Sequence, residues 1–159
     1  MRRMLTTAVL TAAALVASTH AAHADSGVIQ YKDAMRGFTP VISAYADESR
    51  AFGDVAATKP ELACTVEATE LAKRGRSMVG DLAGTAAPQA IAAAQTELGD
   101  AVAAISAGLQ GGCASNASLA ATLAPSIAKA QQALVAIDLY VNDGIVPGAG
   151  PSPDPGMGF

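Results

Sequence analysis

An all-α fold, built as an antiparallel four-helix bundle with its first helix kinked or split at Pro40 and closed by one disulfide, is what this chain predicts. Three observations lead there. Apolar residues recur at three- and four-residue spacing through most of the chain after residue 26, the period of a helix with one buried face. No segment sustains the two-residue alternation of a half-buried strand. The breaks between periodic runs are short and rich in glycine or proline, which favours antiparallel neighbours.

Residues 1–24 read as an export signal: Arg2 and Arg3 form a positive start, and Leu5 to Ala17 form a short apolar run. Ala22, His23 and Ala24 resemble a processing site, so cleavage is expected between Ala24 and Asp25. The apolar run is shorter than the roughly 20 residues of a membrane span, and no second such run follows, so no transmembrane segment is predicted. The expected location is outside the cytoplasm, secreted or in the cell envelope. The Arg2–Arg3 pair leaves both general and twin-arginine export open. The abundance of Ala, Gly, Thr and Asp resembles the coding of a GC-rich bacterial genome.

The bundle domain is expected over 25–144. Val28, Tyr31, Met35, Phe38, Ile42, Tyr45 and Phe52 form its first stripe, interrupted only by Ser49. Pro40 lacks a backbone donor, so the stripe is expected as a short helix over 27–37 and a longer one reaching about residue 53, with Thr39 capping the second. Thr58, Lys59, Pro60 and Glu61 have the spacing of a capping box that opens the second helix. Cys64, Ala68, Leu71, Met78 and Leu82 supply its buried face, and Gly75 occupies the position where the stripe lacks a side chain. The third helix is expected from residues 85–88 to about Gln110, burying Ile91, Leu98, Val102, Ile105 and Leu109, and ending at Gly111 and Gly112. The fourth is expected to open at Ser115 or Asn116, to carry Leu119, Leu123, Ile127, Leu134, Ile137 and Val141 inward, and to end at Gly144. Pro125 is expected to bend its first turns or delay its start. Residues 145–159, dominated by proline and glycine, read as a flexible tail.

The two cysteines, Cys64 and Cys113, are expected to pair in an oxidising compartment. An antiparallel second and third helix brings them to one end of the bundle, whereas a parallel pair separates them by a helix length. Neither sits in a Cys-x-x-Cys motif, so a redox role is not expected.

Composition excludes more chemistry than it offers. Both histidines, His20 and His23, lie upstream of the expected cut, which leaves the processed chain without the usual general base and commonest metal ligand. Losing Arg2 and Arg3 leaves eight basic against fourteen acidic side chains, a formal charge of −6, which disfavours a polyanionic partner such as nucleic acid. Lys73, Arg74 and Arg76 form the only basic cluster, and Glu67 and Glu70 are spaced to pair with it on an exposed face. Met35 and Met78 without histidine make a poor copper cage. The Glu-x-x-His pairs of a di-iron bundle are missing, and Asn116, Ala117 and Ser118 match a glycosylation acceptor.

The candidate ligand-binding residues are Tyr31, Tyr45 and Tyr140, because tyrosinate can ligate haem and a phenol can line an apolar site. The leading expectation is a non-enzymatic binding or interaction module that needs no cofactor and contacts a protein or apolar small-molecule partner. The alternatives are a carrier of an apolar ligand or haem within the bundle, and an enzyme that works without histidine. If the export reading is right, N-terminal sequencing of protein recovered outside the cytoplasm starts at Asp25; a chain that retains Met1 contradicts it.

Overall fold

The computed structural model describes residues 5–114 and 118–148, with side chains described from Ser26 onward. The expected positions Ser115 and Asn116 for the fourth helix start, the glycosylation triplet's first two residues, and the tail beyond 148 lie outside the described residues. The described residues form four α-helices: α1 (Leu5–Thr58), α2 (Val66–Ala83), α3 (Ala92–Gly111) and α4 (Leu119–Asp143). Short 3-10 turns, Pro60–Cys64 and Gly112–Ala114, join α1 to α2 and begin the α3–α4 connection. No strand occurs among the described residues.

Helix α1 runs unbroken through Pro40, so of the two expectations at that residue a split is overturned. Pro40 is exposed, and so is Arg36, whose carbonyl loses the proline's missing N–H. Water can serve an exposed carbonyl, so the helix survives the lost bond. The expected capping box is also corrected. Thr58 is the last residue of α1, and its hydroxyl donates backward to the Val55 carbonyl at 2.9 Å, so it closes that helix rather than opening the next. Thr65 caps α2 instead, accepting from the Ala68 N–H at 3.5 Å. Cys64 therefore lies in the preceding 3-10 turn and is exposed, not on the buried stripe.

Helix α3 starts later than expected, after Ile91, because Pro88 and Ile91 close a turn of their own. Pro125 lies within α4, which starts at Leu119 and continues past it. Gly144 ends α4 with φ of 71°, a left-handed conformation that costs glycine little. The N–H groups of Gly144 and Ile145 then bond to the carbonyls of Tyr140 and Leu139, and Val146 packs on the core. The first residues of the expected tail thus belong to the bundle.

The order of packing is α1 against α4, α4 against α3, and α3 against α2. The 3-10 turns meet at one pole, where Cys64 and Cys113 form the disulfide with their Cα atoms 4.6 Å apart. Joining residues 49 apart, it removes chain entropy from the unfolded state worth about 4 kcal/mol. The other pole, here the loop pole, holds residues near 27–34 of α1, the α2–α3 loop and the end of α4. Most of the expected inward positions are buried, Ile91, Leu98, Val102, Ile105, Leu123, Ile127 and Ile137 nearly completely, whereas Val28, Phe38, Phe52 and Met78 are only partly covered.

The fourth side of the bundle is different. Helices α1 and α2 touch far less than the other neighbouring pairs. They meet where Tyr45, fully buried on α1, reaches under α2 at Gly75. A Cβ on Gly75 would collide with the Tyr45 hydroxyl and with Ser106 Oγ of α3, which explains the missing side chain in the α2 stripe. Gly80, by contrast, faces open space. Gly75→Ala is therefore expected to destabilise the fold by about 1–3 kcal/mol, and Gly80→Ala to stabilise it by up to about 1 kcal/mol, measured by urea unfolding. Equal effects would refute the close approach.

Candidate functional site

The three candidate tyrosines do not converge. Tyr31 and Tyr45 are fourteen residues apart on α1, about 21 Å along its axis. Tyr45 is committed to the middle of the bundle, its hydroxyl 3.2 Å from Ser106 Oγ. Ser106 spends its single proton on the Val102 carbonyl at 3.0 Å, so Tyr45 is the donor in the shared bond. Ser49, which breaks the α1 stripe by sequence, is fully buried one turn further on and makes no well-directed hydrogen bond. Burial raises the Tyr45 phenol above its usual pKa, against the opposing pull of the nearby Ser106 and Ser49 hydroxyls and, after them, of Arg74 and Arg76. A neutral, bonded phenol enclosed in this way is a structural strut and has no free face for haem iron.

Tyr31 and Tyr140 lie at the loop pole in edge-to-face contact, ring centroids 6.2 Å apart. The Lys32 ammonium sits 5.1 Å above the Tyr140 ring, a cation–π contact. Tyr31 is 2% exposed, yet its hydroxyl has no hydrogen-bond partner. Its phenol is pushed up to about 12, chiefly by burial and secondarily by Tyr140.

A concavity of about 650 Å³ lies beside Tyr31, between residues 27–34 of α1 and the α2–α3 loop. Gln95, on the first turn of α3, holds that loop: its Nε2 donates to the carbonyls of Leu82 at 3.0 Å and Thr85 at 2.6 Å. Its Oε1 is buried without a partner. Neither Gln95 nor the loop stood out by sequence, since both look like ordinary polar connections.

Two further grooves run along the loosely packed α1–α2 side. One, of about 530 Å³, is lined by Phe38, Val41, Ile42 and Met78. The other, of about 400 Å³, is lined by Phe52, Val55, Leu62 and Leu71, with Glu48, Glu67 and Glu70 around it. The exposed Arg74–Glu48 ion pair, 2.7 Å between its charged atoms, stands where they divide, and Arg74 lines both. Val41 and Val55 are about half exposed although both are large apolar residues.

The remaining expected features are occupied by neighbours. Lys73 pairs with Glu70, Arg74 with Glu48, and Arg76 donates to the Gln110 side chain at 3.1 Å, so the basic cluster is spread over local partners. Met35 is fully buried in the core, whereas Met78 is half-buried at the seam. Among the described residues no group of three or more metal-ligating side chains is assembled. None of their helices is long and apolar enough to cross a membrane. The backbone at Ala24 and Asp25 lies within α1, and their side chains are outside the described set.

Because the folded Tyr31 phenol ionises near pH 12 and an unfolded one near 10, the unfolded state loses its proton first. Stability present below pH 10 is then lost as the pH rises toward 12. Urea unfolding at pH 9 and pH 11.5 is expected to show that decline, and Tyr31→Phe to lessen it; an equal decline in the variant contradicts the assignment. No protein-family model, curated protein or solved structure matches this chain, so its function rests on the geometry described here.

Proposed function

We propose that the chain is an exported, non-enzymatic interaction module whose α1–α2 face docks an amphipathic helix of a protein partner. One observation carries this reading: two apolar grooves lie on either side of a charged waist along the one loosely packed side of the bundle. Helix-in-groove recognition needs such a surface, with anchor side chains entering pockets and polar groups setting the register. Val41 and Val55 mark the two grooves and are fourteen residues apart, about 21 Å. A partner helix lying along α1 therefore places two apolar clusters about four turns apart, with a polar stretch over Arg74 and Glu48. Glu48, Glu67 and Glu70 around the second groove favour basic residues at that end of the partner.

Export is supported by the leader-like composition of residues 1–24 and by the Cys64–Cys113 disulfide, which persists best in an oxidising compartment. A non-enzymatic role is supported by the loss of both histidines on processing and by the engagement of the strongly buried Tyr45 as a strut.

The test uses the disulfide-bonded protein and a fluorescein-labelled Leu/Lys model helix with apolar clusters fourteen residues apart. Anisotropy is expected to show saturable binding, weakened at least about tenfold by Val41→Glu or Val55→Glu and little changed by Val135→Glu on α4. Equal binding of a scrambled helix with the same composition, or insensitivity to both seam variants, overturns the reading.

A further inference from the structure

The loop pole presents a different kind of site from the seam. We propose that the concavity between residues 27–34 of α1 and the α2–α3 loop binds a small, neutral, mainly apolar molecule that offers a hydrogen-bond acceptor to the Tyr31 hydroxyl.

Size is the first support. About 650 Å³ lies within the range of roughly 300–1,000 Å³ that small-molecule sites occupy. The walls are the second: Val28, Ala34, Ala86, Ala87 and Pro88 supply apolar surface, and no side chain in the lining carries a charge. Both seam grooves, and a third groove between α1 and α4 at Pro40, Leu134 and Val135 that Arg36 and Asp138 flank, have charged residues in their walls, so among these four this concavity alone favours an uncharged guest. The third support is the hydroxyl. Tyr31 is 98% buried, lines the concavity, and leaves its O–H unpaired. A buried unpaired donor is costly, and a carbonyl or ether oxygen on a guest removes that cost.

Orientation is also provided. The Tyr140 ring packs edge-on against the Tyr31 ring and limits its movement. Gln95 holds the facing loop through its bonds to Leu82 and Thr85, so both walls are tied to helices before a guest arrives. The second unpaired atom at this pole, Gln95 Oε1, is an acceptor. Gln95 lies behind the loop and does not line the concavity, so the apolar walls and the phenol set the class: an alkyl or aryl ketone, ester or ether.

The experiment titrates uniformly ¹⁵N-labelled, disulfide-bonded protein with 4-phenyl-2-butanone and, separately, with butylbenzene, which has nearly the same shape without the oxygen. Saturable amide shifts are expected at Tyr31, Ala86 and Ala87, with the ketone binding about tenfold more tightly than the hydrocarbon. Tyr31→Phe should reduce the ketone to the hydrocarbon's affinity. Val55→Glu, in the seam, should leave both titrations unchanged, so failure here and failure of the helix-docking reading are read separately. The proposal is overturned if those amides show no saturable shift or if the native protein binds both probes equally. It is likewise overturned if the ketone preference survives in Tyr31→Phe. Should that variant fail to fold, the ratio of the two affinities in the native protein decides alone.

Discussion

A single phenol joins the three helices on which the arrangement depends. Tyr45 leaves α1, passes under the backbone of α2 at Gly75 and gives its proton to Ser106 on α3. The interaction is polar and, with buried Ser49 beside it, lies in a core otherwise filled mainly by aliphatic side chains. Left unpaired, that hydroxyl would cost roughly as much as a lost hydrogen bond, so only one depth of insertion and one register of α1 against α3 satisfy it. Gly75 is the complement of this constraint, because any side chain there would displace the phenol or lift α2 away.

The open side of the bundle follows from the same contact. With α2 held to α1 mainly at Tyr45 and Gly75, the helices leave half-covered Phe38 and Met78 on one side of the contact and Phe52 and Leu62 on the other. The Glu48–Arg74 pair covers the crossing from outside; being exposed, it contributes at most about 1 kcal/mol to stability and mainly marks the division between grooves. The disulfide acts elsewhere, at the pole opposite Tyr31, by limiting the unfolded chain. The molecule therefore has one covalently closed end, one polar strut at its middle and one end shaped by a hydrogen-bonded loop. Its two candidate surfaces lie along the side, where the second groove reaches Leu62 beside the disulfide turn, and at the opposite loop end.

The helical faces were legible because periodicity is a local property. Ile42, Tyr45, Leu98, Ile105, Ile127 and Ile137 stand at the spacing that one buried face requires, and all are buried. The pairing of Cys64 with Cys113 was legible because antiparallel topology and oxidation imply each other. Gly75 was visible as a gap, but what fills it was not: Tyr45 and Ser106 are 61 residues apart, and nothing local announces their meeting. The start of α2 was not legible because both Thr58 and Thr65 donate back three residues, to Val55 and Leu62, and only Thr65 also accepts an N–H from the helix that follows. The persistence of α1 through Pro40 depends on which way the proline faces. The concavity beside Tyr31 was illegible for a further reason: it forms only when residues near 30 meet a loop near 86, held by a glutamine that resembles any surface residue of its helix.

Tyr45 and Ser106 are coupled in the core. A double-mutant cycle of Tyr45→Phe and Ser106→Ala, followed by urea unfolding with the disulfide intact, measures that coupling. A favourable coupling of about 1 kcal/mol is predicted, so the double variant should lose less stability than the two single losses added together. Losses that add to within about 0.3 kcal/mol would contradict it and leave α1 held to α3 by apolar contact alone.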